Sequence, residues 1–227
     1  MAQANYIAQI EIDGLWGRYD VRWPLYPDVN ILAGINGVGK TTILNLVIRY
    51  LESGAADRPK GVRVAFDQTD ADTIAFDVIR NGQANSARLT ELAEQVLPRT
   101  MSDTRNTFFD IVDELFHSTR KKIDRTDNAM AFDQYGIHLS AVQLSSGERQ
   151  MLFILLTVLA RNGEPSVLLM DEPEASLHIE WQQRLISLIR TLNPLQQVIL
   201  STHSPAVVME GWLDAVTEVG DIVTETA

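Results

Sequence analysis

Four short segments follow one another along the chain: Gly34-Ile35-Asn36-Gly37-Val38-Gly39-Lys40-Thr41, Leu144-Ser145-Ser146-Gly147-Glu148, Leu168-Leu169-Met170-Asp171-Glu172-Pro173 and Ser201-Thr202-His203-Ser204. In the first, two glycines enclose four free positions and are followed by Lys and Thr. That spacing suits phosphate. Glycine backbones turn their N–H groups toward phosphate oxygens, the following helix adds its positive end, Lys40 reaches the β and γ phosphates, and Thr41 ligates magnesium. Asn36, Gly37, Val38, Gly39, Lys40, Thr41 and Thr42 are therefore the candidate phosphate-binding residues. The alternative is a glycine-rich turn, which matches this pattern by chance in roughly one chain of this length in a hundred.

Asp171 and Glu172 end an apolar run, which sets two carboxylates at the rim of such a site. Asp171 is the candidate magnesium ligand, as in other phosphate-loop enzymes, and Glu172 is placed to orient and polarise an attacking water. Without the glycine loop, two solvated loop acids would be the better reading. His203 follows the next apolar run and is a candidate contact to the γ-phosphate or the water, although a lone histidine is more often structural. Leu144 to Gln150 reads first as a helix N-cap, with Ser145 or Ser146 capping and Glu148 in the first turn. The same geometry points amides outward.

These residues need elements to position them. Tyr6 to Ile12 and Tyr19 to Trp23 read as strands joined by a turn, and Val29 to Ala33 as a strand entering the glycine loop. Thr42 to Leu51 carries helical periodicity and stops at Ser53-Gly54. Val62 to Phe66 and Thr73 to Ile79 read as a further antiparallel pair of strands. From about Ala84 to Gln143 the composition shifts to polar helices broken at Pro98 and near Asp124 to Asn128. Arg149 to Ala160 is apolar on nearly every face, as in a helix buried between layers. Val167 to Met170 and Val198 to Leu200 read as buried parallel strands, and Ser176 to Leu192 as an amphipathic helix between them. The expectation is one α/β domain with a mainly parallel sheet, an N-terminal antiparallel part and a small helical lobe. The core lobe spans about 1–83 and 163–227, and the helical lobe about 84–162. Ligands on such sheets sit beyond the carboxyl ends of the strands.

Composition narrows the classes. At 227 residues the chain suits one substantial domain. No apolar stretch approaches a membrane span, and the segment from Met1 to Asn5 lacks signal-peptide character, so a cytoplasmic protein without a membrane partner is expected. The absence of cysteine excludes disulfides and thiolate metal sites. A net charge of -11 argues against broad nucleic-acid affinity, leaving Arg120, Lys121, Lys122 and Arg125 as the one basic cluster. His117, His138, His178 and His203 are scattered without metal-ligand spacing, so no nuclease constellation is present.

The ordered set resembles the ATP-binding-cassette ATPases, and among them the soluble branch of SMC, RecF and overcoming-lysogenisation-defect proteins. Leu144-Ser145-Ser146-Gly147-Glu148-Arg149-Gln150 matches the cassette signature Leu-Ser-Gly-Gly-Gln, with Ser146 for its first Gly and Glu148 for its Gln. Glu174-Ala175-Ser176-Leu177-His178 stands at the D-loop. The resemblance implies a magnesium-dependent ATPase that dimerises head to tail, Ser145 and the Gly147 amide of one subunit capping the γ-phosphate held at Lys40 of the other. It implies a glutamine near the magnesium, for which Gln68 and Gln83 are the candidates, and nucleotide contacts from the first hairpin, where Arg18 stands with Trp16 and Tyr19. The 84–143 stretch has no room for a long coiled coil. The chain is similar to compact ATPases that accompany effectors in bacterial defence systems, so a separate nuclease or toxin-like partner is implied, with nucleic acid as a further candidate ligand. A transporter subunit and a non-hydrolysing ATP-binding scaffold are the competing readings.

Overall fold

The computed structural model describes residues 2–80, 82–126 and 130–226. Two compact units make up the chain: Met1–Arg80, Pro165–Pro173 and Leu195–Ala227 form the first, and Asn81–Glu164 with Glu174–Pro194 the second. The first opens with β1 (Ala2–Gln3), β2 (Ile7–Leu15), β3 (Tyr19–Pro24), β4 (Val29–Ala33), α1 (Lys40–Glu52), β5 (Val62–Phe66), β6 (Ala71–Thr73) and β7 (Phe76–Arg80). The second supplies α2 (Ser86–Val96), α3 (Ser102–Leu115), β8 (Lys121–Ile123), β9 (Phe132–Gln134), β10 (Ile137–Leu139) and α4 (Ser146–Leu159). The chain then alternates, with β11 (Ser166–Asp171) in the first unit and α5 (Ile179–Leu192) in the second. It closes in the first unit with β12 (Gln196–Thr202), α6 (Pro205–Val208), β13 (Val216–Glu218), α7 (Val219–Ile222) and β14 (Val223–Glu225).

The first unit is built on a parallel sheet in the order β13-β4-β12-β11-β7. β11 and β12 are buried along almost their whole length, which is why they read as continuous apolar runs rather than alternating ones. Register pairs Asp171 with both Ser201 and Arg80, and Thr202 with Ala33. The carboxyl ends of these strands therefore share one edge, where α/β sheets bind ligands. An antiparallel sheet, β14-β3-β2-β5, stands beside it. Between the two lies α1, whose Ile43, Leu44, Val47 and Ile48 share one core with Ile10, Val21, Trp23 and Val64 and with Val167, Leu169 and Ile199. Each such aliphatic contributes about 1.5–3 kcal/mol relative to exposure. At the opposite edge the buried Gln197 accepts from Ile7 N–H (2.8 Å) and donates to Ile7 O (2.8 Å) and Tyr26 O (2.7 Å), tying β12 to β2.

In the second unit α4 is the centre, its residues from Met151 to Leu159 all buried, with α2, α3 and α5 packed on it. Phe116 stacks on Trp181 at 5.6 Å and meets Phe132 at 5.4 Å.

This is the α/β phosphate-loop architecture expected, with four differences in its parts. β5 and the 73–79 run do not pair with each other: β5 joins β2, and β7 extends the core sheet parallel to β11. Short β-branched runs look alike locally, and burial chooses the partner. The 84–143 stretch is not purely helical, because β8, β9 and β10 form a small antiparallel sheet whose three-residue strands are too short to show periodicity. The helix expected from Ser176 begins at Ile179, after a 3-10 turn over Pro173–Ser176. Residues 174–194, read with the core lobe, cluster with the second unit. Of the break expected near Asp124 to Asn128, residues 127 and 128 lie outside the described residues, as does Met1.

Candidate functional site

The glycine loop spans the gap between β4 and α1. Gly39 caps α1 at φ 108 and no side chain bonds its first-turn amides, so these donors face outward for a ligand. Lys40 is 4% exposed, yet its ammonium finds loop carbonyls: Nζ donates to Gly34 O (2.7 Å) and Ile35 O (3.2 Å). A buried cation held by neutral carbonyls still lacks a counter-charge, which phosphate would supply. Asn36 and Gly37 lie exposed at the tip, with Val38 and Thr42 half-buried beside them.

Thr41 Oγ1 donates to Asp171 Oδ1 at 3.0 Å, and Ser201 Oγ donates to the same oxygen at 2.5 Å. A hydroxyl and a carboxylate at this separation are a hard-oxygen pair suited to magnesium, which takes one or two protein ligands and completes its shell with phosphate and water. Among the described residues no group of three His, Cys, Asp or Glu gathers that could hold a metal unaided. The donor set thus fits a magnesium held jointly with phosphate. Glu172 follows at φ 47, a left-handed conformation that costs a non-glycine residue about 1 kcal/mol or more. Its N–H donates to Ser201 O at 3.1 Å, and its Oε1 stands 3.4 Å from His203 Nδ1. Lys40, Thr41, Asp171, Glu172 and His203 are thus gathered at one sheet edge. A cleft of about 650 Å³ continues from Gly34 and Ile35 past His203 and Ser204 to Val208 and Glu218.

The 144–150 turn belongs to the second unit. Ser145 caps α4 in a reciprocal box: its Oγ accepts from Glu148 N–H (3.2 Å), and Glu148 Oε2 accepts from Ser145 N–H (2.8 Å). A side chain at Gly147 would put its Cβ 2.5 Å from Ser176 O, so the D-loop backbone requires glycine there. Arg149 donates to Leu144 O and, at 3.3 Å, to Ala84 O, holding the turn from behind.

Two expected site residues stand elsewhere. Gln68 follows β5 where Phe66 pairs with Ile7 and Asp67 N–H bonds Tyr6 O (3.2 Å). Ile7 is also bonded by Gln197 near the amino end of β12, whereas Asp171 is in register with Ser201 near its carboxyl end. Arg18 turns its guanidinium to Glu225 (2.7 Å) rather than to the loop. The hairpin residue that meets the loop is Trp16, whose ring atom lies 2.4 Å from where a Gly39 Cβ would be. Ser201 was not singled out by sequence. Its signal was a hydroxyl directly after the apolar Val198–Leu200 run, in register with Asp171.

Residues 100–210 match the family described as "AAA domain, putative AbiEii toxin, Type IV TA system". The chain is 23% identical to the Septu protein PtuA of Bacillus thuringiensis, over 94% of this chain and 76% of that protein. It is 25% identical to the "Retron Vc95 probable ATPase" of Vibrio cholerae serotype O1 biovar El Tor, over 70% of this chain and only 41% of that protein. A solved SMC head, bound to the C-winged helix domain of ScpA, superposes with a TM-score of 0.64 at 13% identity over 98% of both chains. The fold is that of SMC heads and ATP-binding-cassette ATPases. In sequence the chain is similar to the Septu protein PtuA and to the retron probable ATPase. Among the described residues no helix is long and apolar enough to cross a membrane.

Proposed function

We propose that the protein hydrolyses ATP with magnesium, closes head to tail with a second copy when ATP is bound, and thereby controls a separate effector in phage defence. The observation that carries this is the row of Lys40, Thr41, Asp171, Glu172 and His203 along one sheet edge. Thr41 and Asp171 would hold magnesium, which neutralises phosphate charge when bound. The loop amides and Lys40 bind and orient the triphosphate. Glu172 takes the proton of the attacking water, and His203 Nδ1, 3.4 Å from its carboxylate, holds that carboxylate in place. Ser201 fixes the Glu172 backbone through its carbonyl and Asp171 through its hydroxyl. Trp16 is placed to pack against the nucleotide.

Dimerisation is supported by the second unit: Ser145 and Gly147 form a built amide turn at a helix N-terminus, a phosphate-capping device. The Septu and retron likenesses support the defence role.

Phosphate release by purified protein, with and without magnesium, tests the reading alongside light scattering of Glu172→Gln with ATP. The expected result is magnesium-dependent turnover that falls by roughly 100-fold or more in the variant, which accumulates as an ATP-bound dimer. Absence of turnover, or a variant that stays monomeric with ATP, sinks it.

A further inference from the structure

Glu148 is 3% exposed, a burial a carboxylate tolerates only with partners. Oε2 is committed to the Ser145 amide at 2.8 Å, and Oε1 receives Lys121 Nζ at 2.6 Å. The two side chains are 12% and 4% exposed, so water screens the pair little. Lys121 comes from β8, a strand remote in sequence, which is itself pinned because Ile123 N–H donates to Asp113 of α3 at 2.9 Å. Burial pulls the Glu148 carboxyl upward, but Lys121 and the Ser145 amide outweigh it and hold it below the usual range.

We infer that Lys121 is the positioning residue of the 144–150 turn, holding Glu148 ionised and oriented so that Ser145 presents its hydroxyl, and Gly147 its amide, in one fixed geometry. The inference rests on the proposed role of Ser145 and Gly147 toward ATP held by a second copy. Lys121 itself touches no nucleotide. Without its ammonium the buried carboxylate must take up a proton or swing toward water, and the swing releases the Ser145 N–H that Oε2 now accepts. Arg149 and the Ser176 carbonyl clamp the other side of the turn and cannot replace this contact. A neutral glutamine at position 148 could still accept from Ser145 without needing a cation. The carboxylate is therefore what makes Lys121 necessary.

The test compares wild type, Lys121→Met, Glu148→Gln and the Lys121→Met/Glu148→Gln double variant. For each, kcat, the affinity of the single subunit for a fluorescent ATP analogue and the melting temperature are measured. Lys121→Met is expected to lower kcat roughly 10- to 100-fold while analogue affinity, set in the other unit, stays within about twofold. The double variant is expected to recover kcat to within about threefold of wild type, as is Glu148→Gln alone. Wild-type kcat in Lys121→Met overturns the inference. So does a double variant no better than Lys121→Met, or a loss of kcat that merely follows the fraction unfolded at the assay temperature. Absent turnover in wild type itself would count against the proposed function instead, so the two failures are separable.

Discussion

Glu172 holds a left-handed backbone between an apolar strand and Pro173, and no glycine relieves it. Strain at such a position persists when the surroundings fix it, here through the Ser201 carbonyl. The carboxylate is held beside His203 as a result, and its chemistry is separable from binding. Glu172→Gln should keep nucleotide affinity within about threefold while losing turnover, whereas Lys40→Ala should abolish binding itself, both read by analogue fluorescence titration. Gly147 makes a sharper case, because the atom that an added Cβ would strike is backbone. Gly147→Ala should cost about 1–3 kcal/mol in urea unfolding and remove ATP-dependent association while leaving the analogue affinity unchanged.

At the level of elements, β12 does two jobs. Its carboxyl end carries Ser201 and leads to His203, and its amino end carries Gln197, whose amide bonds both Ile7 and Tyr26. Gln197→Leu strands three backbone groups in a buried place. A loss of about 1–3 kcal/mol in urea unfolding is expected, with the slope against denaturant unchanged. α1 and α4 were legible in the sequence because each combines an apolar pattern with a glycine or a cap, and β4, β11 and β12 because each is a largely apolar run leading into one of the four motifs. The partner of β5, the place of β7 and the β8–β10 sheet were not, since three to five residues carry too little periodicity to name a neighbour. The same reason separates Lys40, Thr41, Asp171 and Glu172, which lie in local motifs, from Ser201 and Lys121. The contacts of those two are made only by folding: Lys121 and Glu148 are 27 residues apart. A glutamine such as Gln68 carries no local pattern, and only strand pairing shows which sheet edge it is near.

For the molecule as a whole, the acidic balance meets a basic cluster that folding largely neutralises. Lys121 pairs with Glu148, and Arg125 with Asp110 and Asp113, leaving Arg120 and Lys122 exposed. Any DNA binding through this cluster should therefore show a salt slope of about -2 or shallower, measurable by fluorescence anisotropy. Acid stability follows from Asp67 and Glu148. Burial raises both, yet Asn5 and the Tyr6 amide at the first, and Lys121 and Ser145 at the second, hold each carboxyl below its ordinary value. A lowered folded pKa means stability present above the unfolded value and lost as pH falls through the folded one. Urea midpoints should be level above about pH 5 and decline below about pH 4. Trp16, finally, gives the intact protein an optical voice. Its indole is 56% exposed and rests on Gly39, whereas Trp23 is buried at 1%. Nucleotide arriving at the loop changes the polarity around that one ring, so tryptophan emission lost on Trp16→Phe would time each arrival in stopped flow without a label.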